Sequence, residues 1–150
     1  MTVLHNFVEI DAAPERVWAA LAALGALAEY DPAILESTIE SHTDAGLGAS
    51  RRCSLKDGGW FRESVTVWEP CRALAFELRD CSLPVRRLRH RYTLAARGRG
   101  TRVEQEMDYQ LKYGLLGTLL DTVVVRRRWD QGIKNFFLGL KRHVEAKGTP

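Results

Sequence analysis

The sequence contains little cysteine and no long apolar run. Three cysteines, Cys53, Cys71 and Cys81, occur among 150 residues, and no pair has Cys-X-X-Cys spacing. Such an odd and scattered set indicates reduced thiols rather than a disulfide framework. The four histidines never fall at ligand spacing such as His-X3-His, so we expect no metal site and no cofactor. No apolar stretch approaches the roughly 18 residues that a membrane-spanning helix needs.

Other absences exclude secreted, disordered and fibrous proteins from the expected classes. The first ten residues include Glu9 but no lysine or arginine, which is not the pattern of a secretory signal. We therefore expect a cytoplasmic location. With 45% hydrophobic and 27% charged residues, the composition excludes disordered and fibrous architectures. A chain of this length suits one domain over residues 1–150.

The net charge of +3 is unevenly distributed. Residues 1–75 carry 6 basic and 11 acidic side chains, whereas residues 76–150 carry 16 and 8. The simplest explanation is two solvated faces of one domain. Seven arginines fall within seventeen residues: Arg86, Arg87, Arg89, Arg91, Arg97, Arg99 and Arg102. Because no aromatic residues are interleaved and no nucleic-acid motif occurs, we do not expect nucleic-acid binding. Transient contact with an anionic membrane is the better alternative.

Periodicity predicts strands between helices at the two ends. Val3–Ile10 is typical of a strand, and Pro14 suits the first turn of a helix. A short second helix, Ala26–Tyr30, is ended by Asp31 and Pro32. Six period-two segments follow, separated by turn residues: Ile34–His42, Ser50–Lys56, Phe61–Trp68, Ala73–Arg79, Arg86–Ala96 and Arg102–Lys112. The spacing then predicts a long amphipathic helix over about 116–146.

This order predicts an α+β fold in which one long helix covers the apolar face of a curved antiparallel sheet. The local patterns resemble the SRPBCC, or START-like, helix-grip superfamily, and within it the polyketide cyclase/dehydrase branch. The resemblance rests on Ile10–Trp18, Tyr30–Pro32, Gly46–Arg51, Glu63–Val65, Trp68–Pro70, Gly100–Val103 and Leu140–Glu145.

The resemblance covers nearly the whole chain and implies a helix-grip fold with seven strands and two short helices after the first strand. It also implies one ligand-binding domain with a cavity between the sheet and the C-terminal helix. The expected function is binding of a hydrophobic or amphipathic small molecule that is lipid- or polyketide-like. The alternative is a polyketide cyclase/aromatase or dehydratase that uses acid–base residues of the cavity, so enzymatic activity is left open.

Strand alternation indicates which side chains face the expected cavity. The more apolar set of Phe61–Trp68 contains Phe61, Glu63, Val65 and Val67. Several inward positions are polar, which favours a wet or ligand-filled space because burying unpaired polar groups is costly. The predicted ligand-binding residues are Asn6, Arg51, Val65, Phe76, Tyr92, Gln105, Met107, Tyr109, Ile133 and Phe137.

Two titratable residues are candidates for proton transfer. No Gly-X-Ser-X-Gly elbow occurs, so covalent catalysis is not favoured. We predict His90 as the acid–base group and Glu63 as the second candidate, because burial can raise a carboxyl pKa. Alternatively, Arg51 and Glu63 simply pair, and His90 is a satisfied core residue beside Tyr92.

Bulky aromatic residues can also fill the cavity. Phe76, Phe136 and Phe137 all fall on faces that are predicted to point inward. If they occupy the space, the protein acts through its surface alone, as an interaction protein.

Overall fold

The computed structural model describes residues 1–147, which form one antiparallel sheet and a long C-terminal helical segment. The seven strands pair in the order β1-β7-β6-β5-β4-β3-β2. Their bounds are β1 Thr2–Ile10, β2 Ile34–Ile39, β3 Ser50–Leu55, β4 Trp60–Glu69, β5 Ala73–Cys81, β6 Val85–Arg97 and β7 Gly100–Leu111. The predicted helix-grip fold with seven strands is confirmed, although β2 is shorter than expected.

Helical segments occupy the predicted positions. Helix α1, Pro14–Ala22, begins with its proline in the first turn, and a 3-10 helix covers Leu24–Glu29. The C-terminal segment begins with α2, Gly114–Leu120. It continues through one π-helical turn, Asp121–Val125, into α3, Arg126–Lys147. Within residues 1–147, no helix is both long and apolar enough to cross a membrane.

Helix α3 covers the sheet with the predicted apolar stripe. Its buried residues are Ile133, Phe136, Phe137, Leu140 and Val144. Gly139 lets α3 approach the backbone of Tyr30 closely, because a Cβ at this position would overlap the carbonyl oxygen of Tyr30. In the first turn of α1, the Arg16 side chain donates to the carbonyl of Val144. The helix is therefore held both by its apolar face and by polar contacts with the N-terminal segment.

One prediction of strand faces is wrong. Alternation assigned Val67 to the inward face of β4, but Trp68 packs against the core and meets the ring of Trp18 at 5.1 Å. The pairing of β4 with β5 shifts between Val65 and Val67. A bulge of this kind inserts one residue and exchanges the two faces of the strand beyond it.

The arginines of β6 lie beside an acidic stripe on β7. Arg89 forms an ion pair with Asp108 at 3.2 Å, and Arg91 lies opposite Glu106 in the register. Opposite charges on neighbouring strands are mutually favourable. This cross-strand pairing accounts for part of the arginine cluster without any external anion.

Candidate functional site

The centre of the site is a buried ion pair on neighbouring strands. Arg51 on β3 lies opposite Glu63 on β4, and its Nη2 lies 3.3 Å from Oε2 of Glu63. Its Nη1 donates to the carbonyl oxygen of Leu24 at 3.1 Å. Both charged side chains are about 5% exposed or less. The predicted pairing of Arg51 with Glu63 is thus confirmed, and the 3-10 helix contributes an acceptor that the sequence did not indicate.

Glu63 also contacts His90, which projects from β6. The Nε2 atom of His90 lies 3.1 Å from Oε1 and 3.3 Å from Oε2 of the carboxylate. Burial alone would raise the pKa of Glu63, but Arg51 and then His90 oppose it and hold the pKa at about 2. The predicted direction of the Glu63 shift was therefore wrong, because two basic partners outweigh the desolvation of the carboxyl group.

An ionised Glu63 determines which nitrogen of His90 carries the proton. A carboxylate only accepts hydrogen bonds, so Nε2 must be protonated to donate to it. When the imidazole is neutral, Nδ1 then has a free lone pair. The Nδ1 atom is buried and has no hydrogen-bond partner among the described residues.

Two further buried polar atoms in the same cluster lack partners. Within residues 1–147, the buried side-chain nitrogen and oxygen atoms without a hydrogen bond are Arg51 Nε, His90 Nδ1 and Gln105 Oε1. All three belong to predicted site residues. The other end of the Gln105 amide donates to the hydroxyl of Tyr92 at 3.2 Å. Unsatisfied buried groups are costly, so their concentration in one cluster indicates a place where a polar partner belongs.

Aromatic rings surround these polar groups. Phe76 stacks on His90 with a centroid distance of 5.0 Å, and the Arg51 guanidinium lies 4.5 Å above the Phe76 ring. Tyr92 contacts Phe136 at 5.5 Å and Phe137 at 6.4 Å. Burial raises the pKa of Tyr92, so its hydroxyl remains protonated. The aromatic residues expected to fill the cavity are all buried and lie in contact with the polar cluster.

Other predicted site residues lie elsewhere on the sheet. Val65 and Ile133 are core residues, and Met107 lies opposite His90 in the register. Asn6 donates to Asp130 at 2.8 Å instead of joining the central cluster. Tyr109 donates its hydroxyl to Asp121 and packs its ring against Trp129. The structure therefore divides the predicted set into a central cluster and a second group beside the start of α3.

Three residues beside the site were not among the predicted site residues: Tyr30, Phe136 and Asp121. Tyr30 is buried and contacts the ring of Phe136, which was considered only as a space-filling residue. The motif Tyr30-Asp31-Pro32 was the available signal for Tyr30. Asp121 is buried and accepts hydrogen bonds from Thr2 and Tyr109. Its isolation in the apolar run at 115–125 was the available signal for an anchoring role.

Two surface clefts lie away from the central cluster. One of about 630 Å³ runs between the 3-10 helix and α3, where it is lined by residues that include Tyr30, Arg142 and His143. The second, of about 210 Å³, lies between α1 and the end of α3. Neither is lined by a predicted site residue. In the described part of the chain, no group of three or more His, Cys, Asp or Glu residues is placed to hold a metal ion.

Comparisons with known proteins agree with this architecture. The family model described as polyketide cyclase / dehydrase and lipid transport matches residues 1–145. TTHA0849 from Thermus thermophilus has a similar structure, with a TM-score of 0.84 and 20% identity over 99% of this chain and 100% of that chain. A START superfamily protein from Mycobacterium smegmatis gives a TM-score of 0.81 at 16% identity, covering 96% of this chain and 97% of its own.

The fold similarity extends to the protein Ara h 8.0201. Its TM-score is 0.78 at 12% identity, with 97% of this chain and 98% of that chain covered. Such low identities show a shared fold alone. No curated protein matches the sequence significantly.

Proposed function

Because the chain belongs to the polyketide cyclase / dehydrase and lipid transport family, we propose that it binds a hydrophobic or amphipathic small molecule between the sheet and α3. One observation carries the proposal. The unpartnered buried atoms Arg51 Nε, His90 Nδ1 and Gln105 Oε1 all belong to the central cluster. A pocket with an apolar wall and a few convergent polar groups is the usual form of a small-molecule site.

The polar atoms define the chemistry of the ligand's head. Arg51 Nε donates a hydrogen bond, Gln105 Oε1 accepts one, and Nδ1 of neutral His90 accepts another. A ligand with one carbonyl and two nearby hydroxyl groups satisfies this set, because the carbonyl accepts from Arg51 and each hydroxyl donates to one of the two acceptors. Its apolar remainder packs among Val65 and Phe137. This combination corresponds to a polyketide- or lipid-like molecule.

The ligand takes the place of aromatic contacts. Phe136 and Phe137 approach Tyr92 from α3 and occupy the space between helix and sheet. Binding replaces these ring contacts with contacts to the ligand, so Phe136 and Phe137 change rotamers or α3 shifts. Access is therefore controlled by the helix side of the site, while the strands hold the polar groups in place.

Native mass spectrometry of freshly purified protein tests the proposal, followed by denaturation and identification of any released molecule. We expect a complex whose released component is apolar and carries oxygen atoms. Gln105→Leu removes the unpaired acceptor and should reduce occupancy of that molecule at least tenfold, because a buried hydroxyl loses its partner. Gln110→Leu is the matched control, since Gln110 is exposed on the same strand.

The variants are compared after circular dichroism has shown that both fold. Equal occupancy in the Gln105 and Gln110 variants would contradict the assignment of the site. A wild-type protein that has only its apo mass and shows no thermal stabilisation with a panel of polyketides and fatty acids would favour an interaction protein that uses its surface.

A second function, proton transfer on such a molecule, is favoured by the geometry of His90. Glu63 holds the Nε2 proton and leaves Nδ1 as a base, while Arg51 Nε is available to an oxyanion. We propose that Nδ1 removes a proton from a carbon next to a substrate carbonyl. The electron pair moves to the carbonyl oxygen, which Arg51 stabilises, and Glu63 stabilises the resulting imidazolium. The enolate electrons then return to form a double bond between the α and β carbons as the bond from the β carbon to its hydroxyl breaks. Nδ1 gives its proton to the departing hydroxyl, which leaves as water.

Turnover of a linear polyketide of matching length separates catalysis from binding, because a carrier returns its ligand unchanged. His90→Gln should lower the rate by about 10²–10⁴-fold, the usual contribution of a general base. The exposed His42 provides the matched control, His42→Gln. Full turnover by the His90 variant would eliminate this mechanism without affecting the binding proposal.

A further inference from the structure

The segment from Gly114 to Val125 has an apolar face that is exposed to solvent. Its exposed large apolar residues are Leu115, Leu116, Leu119, Leu120, Val123 and Val124. These positions recur at helical spacing, and Leu115 is 90% exposed. Monomeric proteins rarely leave so contiguous an apolar face in water, so this face needs a partner.

The opposite side of the segment is fixed to the domain. Asp121 is buried and accepts hydrogen bonds from Thr2 on β1 and Tyr109 on β7. A Cβ on Gly117 would overlap the carbonyl oxygen of Lys112, so this turn packs directly on the end of β7. These anchors hold the apolar face outward. The apolar side chains are therefore exposed because of the way the segment packs on the sheet.

Basic residues flank the apolar face on both sides. Lys112 precedes it and Arg126, Arg127 and Arg128 follow it, and all four are exposed, although Arg126 also pairs with the buried Asp121 at 3.4 Å. The one acidic residue between positions 112 and 128 is Asp121, which is buried against its partners. The accessible charge of the segment is thus entirely positive.

We propose that residues 112–128 form a docking surface for an anionic lipid bilayer. The apolar side chains enter the interface between headgroups and acyl chains, and the flanking basic residues contact lipid phosphates. A two-fold self-association through this face would set basic residues against basic residues in either orientation, because Lys112 and Arg126–Arg128 lie at its two ends, whereas anionic lipid satisfies both the apolar and the basic groups. This surface is separate from the arginines of β6, and the inference does not rest on ligand binding in the central cluster.

Co-sedimentation of the whole protein with vesicles tests the proposal. We expect binding to phosphatidylglycerol/phosphatidylcholine vesicles, little binding to pure phosphatidylcholine, and weakening as salt is raised. Leu115→Ser with Leu119→Ser should lower partitioning at least tenfold. Leu35→Ser with Leu47→Ser is the matched control, because both leucines are exposed elsewhere.

Charge reversal distinguishes this surface from the β6 arginines. Arg127→Glu with Arg128→Glu should lower binding about tenfold or more, whereas Arg86→Glu with Arg87→Glu should leave it within twofold. Hydrogen exchange provides a measurement that requires no variant, because anionic vesicles should slow exchange in residues 114–125.

Three results would overturn the proposal. The first is absence of binding to anionic vesicles by the wild-type protein, with unchanged exchange in residues 114–125. The second is equal loss of binding in the test and control pairs. The third is a concentration-dependent dimer that the Leu115/Leu119 variant abolishes, which would identify the face as a contact between two copies.

Discussion

Glu63 on β4 accepts a hydrogen bond from Nε2 of His90 on β6 at 3.1 Å, although β5 lies between the two strands. The side chains reach each other over the inner face of the sheet, beside the ring of Phe76. Arg51 approaches the same carboxylate from the opposite side at 3.3 Å. One buried anion therefore holds two basic groups in place, and each retains an unpartnered nitrogen.

Removing the charge of Glu63 should strongly destabilise the fold. Glu63→Gln leaves the buried Arg51 guanidinium without its anion, so we expect a loss of about 3–5 kcal/mol in the free energy of unfolding. Urea denaturation at neutral pH measures this loss. Glu69→Gln, an exposed position on the same strand, should change the free energy by less than about 0.5 kcal/mol. Similar values for the two variants would contradict a strong ion pair.

Because the pKa of Glu63 is lowered by folding, the stability of the protein should depend on pH. The folded pKa of Glu63, about 2, is below its ordinary value of 4.5, so the folded state binds this proton less readily than the unfolded state. The lowered pKa contributes about 3 kcal/mol to the free energy of unfolding. This contribution is fully present above the unfolded pKa and is lost as pH falls toward the folded value. The difference between wild type and Glu63→Gln should therefore shrink between about pH 4.5 and pH 2. A constant difference across this range would contradict the shift.

The orientation of His90 can be observed by nitrogen-15 NMR. In the neutral ring we expect one tautomer, with the proton on Nε2 and exchanging slowly with water because the site is buried. Glu63→Gln should disturb this preference, since an amide can also donate. The exposed His42 provides a reference ring that exchanges rapidly. Protonation of Nδ1 instead of Nε2 in the neutral ring would be incompatible with the proposed base.

Two glycines of α3 should respond oppositely to the same substitution. Gly139→Ala places a methyl group against the carbonyl of Tyr30, so we expect a destabilisation of about 1–3 kcal/mol. Gly132→Ala meets no atom within 4 Å and should stabilise the protein by about 0.5–1 kcal/mol. Thermal and urea unfolding of the pair measure both effects. Equal effects would mean that α3 does not pack closely on Tyr30.

Asp121 should hold the start of the C-terminal helical segment on the sheet. Asp121→Ala leaves the Tyr109 hydroxyl buried without an acceptor, a cost of about 1–3 kcal/mol. Hydrogen exchange in residues 112–125 should accelerate, and addition of Tyr109→Phe should recover part of the stability. Thr122→Ala, at an exposed neighbour, is the control. Unchanged exchange in Asp121→Ala would refute the anchoring role.

The stability of the same region should depend on pH, because Asp121 is charged when it anchors the segment. Burial opposes its ionisation, but hydrogen bonds from Thr2, Tyr109 and Arg126 lower its pKa below the ordinary aspartate value. Its stabilisation is therefore present at neutral pH and declines as pH falls below the unfolded pKa. Protection factors in residues 112–125, which correct for the slower intrinsic exchange of amides in acid, should fall on acidification more in the wild type than in Asp121→Ala.

The sequence contained enough information for the fold and for most inward-facing positions. Period-two alternation correctly assigned Arg51, His90 and Gln105 to the buried face, because the strand pairing immediately around each of them is regular. It failed at Trp68, since a bulge adds a residue without leaving a clear mark in the local pattern. Faces are therefore predictable only as far as regular pairing continues.

The electrostatics of the site were less accessible to sequence reasoning. The pKa direction of Glu63 depends on His90, which is distant in the chain and two strands away in the sheet. Asp121 depends on Thr2 in a similar way, because their contact joins positions 119 residues apart. Such partners are determined by tertiary register, which local periodicity does not contain.

The pairing of β1 with β7 also has a consequence for how the chain acquires its structure. Thr2 lies opposite Tyr109 and Ile10 lies opposite Thr101, so the first strand has no sheet partner until the seventh has been synthesised. Contacts between such distant positions slow folding, because a long loop must close before they form. During translation, Leu4 and Ile10, which are buried in the folded protein, remain on an unpaired strand for most of the chain's length, and such transiently exposed apolar surface is prone to aggregation.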